Sequence, residues 1–175
     1  MPVSLGRLKI MTSETAGRVF ASHYQLMLCD DPRRPVPEEA NWDNERSSRG
    51  FAGDARTRLV GTEADLNDHW VQIEKLGATP SLAEWQRVTL VHFHSETGNL
   101  HVMSVLDDEP RVSVQTGVGD FSVYVAGQNL GIDLLSLGEE RNLTDDELAA
   151  RKDLEWYKIF VVPGIPSSDG RIKDG

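Results

Sequence analysis

Cysteine is almost absent from this chain of 175 residues: Cys29 stands alone, which excludes an intrachain disulfide framework and any multi-cysteine zinc knuckle. Positive charge is also scarce. Eighteen Lys and Arg face 28 Asp and Glu, giving a formal net charge of −10. Such a surface repels phosphate backbones and anionic headgroups, which are held mainly by Lys and Arg, so direct contact with nucleic acid or membrane is not expected. Long apolar runs are missing too. The strongest, Ile159-Phe160-Val161-Val162, stops at Pro163, far short of the ~20 residues of a spanning helix. Met1–Gly17 holds no apolar stretch of signal-peptide length. There is no Gly-rich phosphate loop, dinucleotide fingerprint or Gly-x-Ser-x-Gly elbow. A reducing, cytoplasmic setting and no cofactor are the expectation.

What is present suffices for a core: 39% hydrophobic residues, four Trp and five Phe against 26% charged residues. The expected organisation is a single β-rich domain over 1–175, with 1–15 and 164–175 as flexible ends. Period-two alternation predicts strands over Arg18–Cys29, Gly50–Val60 and Trp70–Leu76. It predicts further strands over Arg87–Ser95, Leu100–Leu106, Arg111–Gln115, Asp120–Ala126 and Glu155–Val162. Glu96-Thr97-Gly98-Asn99 reads as a hairpin turn. Asp30–Ser48, with Pro32, Pro35 and Pro37, must be a loop; Trp42 within it is expected to anchor the loop on the sheet. Thr144-Asp145-Asp146-Glu147 is a capping box opening one short helix near the C-terminus. The predicted class is mainly β, an antiparallel β-sandwich carrying that helix.

Two constellations could carry chemistry. A hairpin centred on Thr97-Gly98 would set His94 opposite His101, with His92 on the same face, and three imidazoles can hold zinc with an open fourth position. That reading implies a metal-dependent enzyme, although the spacing is no selective metal signature; histidines on the polar face of a hairpin are the plainer alternative. Cys29 with His23 on one strand face would be a nucleophile and base, yet a lone Cys at a strand end is more often a small core residue. The acidic loops offer something different. Asp30, Asp31, Glu38 and Glu39 beside Trp42 make an aromatic anchor ringed by carboxylates, and Asp107, Asp108 and Glu109 form a second acidic turn.

Ser22-His23-Tyr24-Gln25-Leu26, then Pro35 and Trp42, then Gly50-Phe51-Ala52-Gly53 together resemble the N-terminal half of the competence-J family, the inhibitors of a DNA-entry nuclease. The resemblance covers Ser22–Leu59, about a fifth of the chain; the Thr144 helix and the C-terminal segment lie outside it. It implies a β-sandwich that binds and blocks a nuclease, and by extension an immunity protein that neutralises a toxin. Its partner would be a protein, bound with 1:1 or 2:2 stoichiometry, the latter through a homodimer. An inhibitor needs no catalytic residue, so none carries over. The acidic loops suit the role, since carboxylates can occupy the field of a cationic cleft. A third reading, a structural β-sandwich subunit of a larger assembly, fits the same composition.

Overall fold

The structure, a computed structural model described over residues 15–174, consists of two sheets. The first runs in the order β1 (Thr15–Ala21), β5 (Asn67–Lys75), β10 (Trp156–Pro163), β9 (Gly119–Gln128), β6 (Arg87–Ser95) and β11 (Gly170–Asp174). The second runs β3 (Phe51–Asp54), β4 (Thr57–Gly61), β2 (Gln25–Cys29), β7 (Asn99–Met103) and β8 (Val112–Gln115). Alternation sends one set of side chains inward. Val71, Ile73, Val91, Phe93, Val123 and Ile159 of the first sheet meet Leu26, Leu28, Phe51, Leu100 and Val102 of the second in one buried cluster.

Both outer faces are apolar as well, and each is covered by a connection. Residues 76–86 lie across the first sheet, where Trp85, with Leu76 and Leu82, packs on Val88, Leu90, Tyr124 and Phe160. The Trp85 ring meets Trp156 and Phe160 edge-on, with centroids 5.2 and 6.0 Å apart. The proline-rich loop does the same for the second sheet: Ala40 and Trp42 cover Met27, Cys29, Ala52, Leu59 and Met103. Trp42 is thus a lid anchor, as expected of it. A third excursion, 129–155, packs Leu134, Leu148 and Leu154 against Trp70.

Several expectations need correction. The sandwich is not wholly antiparallel, because β10 runs parallel to β5 while pairing antiparallel with β9. The Ile159–Val162 run explains that placement: Ile159 and Val161 join the inner cluster while Phe160 and Val162 join the outer one, which suits a strand central to its sheet. The capping-box helix, α2 (Asp145–Ala150), forms with both reciprocal bonds, and β10 and β11 follow it in the chain. A second helix, α1 (Asn44–Arg49), lies in the proline-rich loop, capped by the Asp43 carboxylate on the Arg46 N–H at 2.8 Å. Arg18–Cys29 is two strands, one in each sheet, and Gly50–Val60 is the β3–β4 hairpin. The end 164–175, expected to be flexible, contains β11, paired with β6. The other end, 1–15, lies outside the described residues except for Thr15, which opens β1.

Glu96–Asn99 is not a hairpin turn: β6 and β7 belong to different sheets, and the segment carries the chain between them. A carboxylate from far along the sequence decides this. The Asp30 side chain, fully buried, accepts the Glu96 N–H at 2.8 Å and the Thr97 N–H at 3.3 Å, and the Asp30 carbonyl accepts the Thr97 hydroxyl at 2.7 Å.

A second buried carboxylate holds the opposite connections. The Glu155 side chain is fully buried and accepts the N–H groups of Glu63, Ala64 and Gly131 at 3.2, 3.0 and 2.6 Å and the Tyr157 hydroxyl at 2.7 Å. Burial, reinforced by Glu155, raises the Tyr157 phenol well above its ordinary pKa, which keeps that proton in place as a donor. The loop leaving β4 is thereby fixed where it meets the β1–β2 turn.

Candidate functional site

The acidic residues singled out by sequence do not converge on one surface. Asp30 is internal: besides the two amides, it receives Arg56 Nε and Nη2 at 3.0 and 3.2 Å, so it belongs to the fold and cannot meet a partner. Asp31 accepts the Arg33 backbone N–H at 3.0 Å, and this bond, with the Arg33 guanidinium, lowers its pKa. Glu38 and Glu39 form an exposed 3-10 turn and share a groove with Asn41 and Arg46. Trp42 donates its indole N–H to Gln25 Oε1 at 2.6 Å. Asp107 is largely enclosed; desolvation pushes its carboxyl up, but hydrogen bonds from Arg111 and the Ser104 amide outweigh that and leave the pKa lowered. Asp108 and Glu109 remain exposed. Asp107 also joins Asp68 and Asp145 in a groove of about 540 Å³ beside Arg18 and Arg111 along β1.

The histidines do not converge as the hairpin predicted. His92 Nε2 and His94 Nδ1 both meet Asp120 Oδ1, at 2.8 and 2.9 Å, on the first sheet, and their hydrogen bonds lower the Asp120 pKa. His101 lies on the second sheet, with Nδ1 2.6 Å from the Ser113 hydroxyl. The proposed triad is therefore split between layers. Among the described residues no group of three His, Cys, Asp or Glu side chains is arranged to hold a metal ion. Cys29 is buried against Met103, and burial, with Asp30 and Asp31, pushes its thiol up to about 12. His23 sits beyond the other end of β2, so the two form no nucleophile and base.

Sequence reasoning missed the groove where the resemblance residues meet. The β1–β2 turn places two consecutive non-glycine residues, His23 and Tyr24, in the left-handed region at φ 59° and 57°, a conformation that costs free energy and persists only when its surroundings impose it. Here they do: Asp65 Oδ1 accepts the Tyr24 N–H at 2.9 Å, and the Tyr24 carbonyl accepts the Thr62 N–H at 2.8 Å. The turn holds the Tyr24 ring 56% exposed. Beside it lie Trp42, Ser47, Gly61, Thr62 and Arg171, lining with His23 and Tyr24 an open groove of about 240 Å³.

Arg171 comes from β11 and rests over two glycines. A Cβ at Gly50 would stand 2.7 Å from Arg171 Nε, and one at Gly61 would stand 3.8 Å from Arg171 Nη2 and 3.9 Å from the Trp42 ring. Gly50 is also the left-handed residue that ends α1, at φ 86°. The glycine in the Gly50-Phe51 step therefore has two physical reasons, helix termination and room for a guanidinium. Among the described residues Arg171 Nε is buried without a hydrogen-bond partner, and Nη1 forms an ion pair with Asp174 Oδ2 at 3.6 Å.

Two packed β layers joined by crossing connections, each with its outer face strapped, define a mainly β two-sheet fold. Among solved structures, that of ComJ, the inhibitor of the DNA-degrading activity of NucA from Bacillus subtilis, aligns with a TM-score of 0.61 at 13% identity, over 85% of this chain and 95% of that one. The product of crocagin biosynthetic gene J aligns with a TM-score of 0.53 at 12% identity, over 86% of this chain and 97% of that one. The chain thus has a ComJ-like fold, and at these identities the likeness shows the fold alone. No family model matches the chain, and no curated protein matches it in sequence. No helix among the described residues is long and apolar enough to cross a membrane.

Proposed function

We propose that this protein is an inhibitor that binds a nuclease and blocks its cleft, acting as the immunity partner of a nuclease toxin. The observation that carries the reading is the ComJ-like fold over 85% of the chain, matched to the net charge of −10. A nuclease cleft holds cations to meet a phosphate backbone, so an acidic protein is steered into the same field and excludes the substrate. The carboxylates available for this are Asp31, Glu38, Glu39, Asp108 and Glu109 on exposed or half-exposed connections, with Asp107 at the edge of its turn. Trp42 packs the loop that carries Glu38 and Glu39 onto the second sheet. Asp30 is left out because it is buried.

The test is co-purification of this protein with a DNA-degrading nuclease, followed by a nuclease protection assay on that pair and mass measurement of the complex. Stoichiometric loss of DNA cleavage and a 1:1 complex are expected. Full cleavage in saturating amounts of this protein would overturn the reading. Association should slow as salt rises, because exposed charges are screened over about 10 Å at 0.1 M ionic strength.

A further inference from the structure

We propose that the His23–Tyr24–Trp42–Arg171 groove is a socket for a carboxylate side chain, Asp or Glu, presented by a protein partner. The inference rests on the reading of the chain as a protein-binding inhibitor, and it adds a contact of the opposite polarity to the acidic surface. Three observations converge on it. The first is charge. Four other grooves on the described residues each carry carboxylates, from Asp68 in two of them to Glu38 and Glu39 or Asp107 to Glu109 in the others. None of the seven residues lining this groove is acidic, and Arg171 is among them.

The second is placement. Gly50 and Gly61 leave the space in which the guanidinium rests beside the Trp42 ring: Nε is buried over Gly50 without a hydrogen bond among the described residues, Nη1 is paired with Asp174 at 3.6 Å, and Nη2 lies on the Trp42 side. Arginine recognises a carboxylate through paired N–H donors, and such bonds strengthen where water is partly excluded. The third is the wall. Tyr24 is held exposed in a left-handed turn fixed by Asp65 and Thr62, giving a rigid aromatic surface for the methylenes of an inserted side chain, while the exposed Ser47 lines the rim. A single carboxylate on a neutral or basic protein surface avoids the repulsion that a charge of −10 imposes on free polyanions. An inhibitor that meets a cationic cleft with its own carboxylates, and takes one carboxylate from the rim of that cleft, gains a fixed register as well as attraction.

The experiment is an NMR titration of the full chain with acetyl-Ala-Glu-Ala-amide, following the Trp42 indole N–H, the Tyr24 amide and the Arg171 Nε–H. Acetyl-Ala-Gln-Ala-amide and inorganic phosphate are the comparison probes. Saturable shifts with the Glu peptide are expected, about tenfold weaker with the Gln peptide, and diminishing with added salt. Ser47→Glu, an exposed change that places a like charge at the rim, should abolish them, whereas Ser48→Glu, which is outside the lining set, should not. Equal responses to the Glu and Gln peptides, or unchanged shifts in Ser47→Glu, would overturn the proposal; so would tighter binding of phosphate than of the Glu peptide. Ser47→Glu that loses the peptide but keeps full nuclease inhibition would remove the socket from the docking surface and leave the inhibitor reading standing. Absence of any inhibition by the unaltered protein, by contrast, would remove that reading without touching the titration.

Discussion

Replacing Glu155 with Ala should be among the most damaging single changes in this protein, though the residue lies outside every surface discussed above. Its carboxylate satisfies three backbone N–H groups, from Glu63, Ala64 and Gly131, and the Tyr157 hydroxyl, and His69 Nε2 lies 3.4 Å away. A buried donor left without a partner costs about 1–3 kcal/mol. Four such donors would set an upper bound of about 12 kcal/mol, which water entering the vacated space reduces. With water re-satisfying part of these donors, we expect a loss of roughly 3–5 kcal/mol. Against a typical total of about 5–15 kcal/mol, the variant would be marginal at 25 °C. Urea denaturation followed by Trp fluorescence provides the measurement, with four Trp as probes. Glu155→Gln should fall between the two, since its amide keeps one acceptor but turns an N–H towards neighbours that are donors themselves. A loss below about 1 kcal/mol for Glu155→Ala would refute the claim that this carboxylate ties the 62–64 and 129–131 connections together.

Asp30→Ala should cost about 2–4 kcal/mol by leaving the Glu96 and Thr97 amides unpaired and Arg56 with only its Glu96 carboxylate, while Glu38→Ala and Glu39→Ala should stay within roughly 0.5 kcal/mol. Parallel denaturation curves check the contrast, and equal effects would return Asp30 to the surface set. Asp54 has its pKa lowered, first by the Arg34 hydrogen bond at 2.6 Å and then by the Thr57 and Arg56 amides. A folded-state pKa below the unfolded one means stability that is fully present above the unfolded value and lost as pH falls through the folded one. The Asp54 contribution should therefore fade below about pH 4, and Asp54→Asn should flatten the acid limb of the stability profile; an unchanged limb would contradict this.

How far the fold was legible depended on whether its causes are local. β6 is found at Arg87–Ser95 as alternation predicts, and the Thr144 capping box forms because both of its partners lie within one helical turn. The break between β1 and β2 was not legible, since His23-Tyr24 contains neither Gly nor Pro and its left-handed geometry is imposed by Asp65 and Thr62. The same holds at Thr97-Gly98, whose composition suits a hairpin and a sheet-to-sheet crossing equally; Asp30, 66 residues from Glu96, chooses between them. β11 was missed because, as an edge strand, it buries little and leaves Ile172 42% exposed. The groove was invisible for a related reason. Tyr24, Trp42 and Gly50 lie within the resembling segment, but Arg171 arrives from the far end of the chain.

The strapping of both sheets bears on where a partner can bind. An apolar outer face left bare would have favoured a subunit that packs flat against a larger assembly, because such patches mark interaction surfaces. Here Trp85 closes one face at 4% exposure, while Ala40 and Trp42 close the other. Two of the four Trp are thereby committed to packing; Trp156 packs in the Trp85 cluster and Trp70 against Leu134, Leu148 and Leu154. What stays accessible is the set of connections: the Tyr24 turn, the Glu38–Glu39 turn and the Asp108–Glu109 turn. Of the connections, Asp30 and Glu155 fix 96–97, 63–64 and 131, while Asp65 and Thr62 fix the Tyr24 turn. With both sheet faces covered, the surface left for contact is one of edges and turns rather than a sheet face.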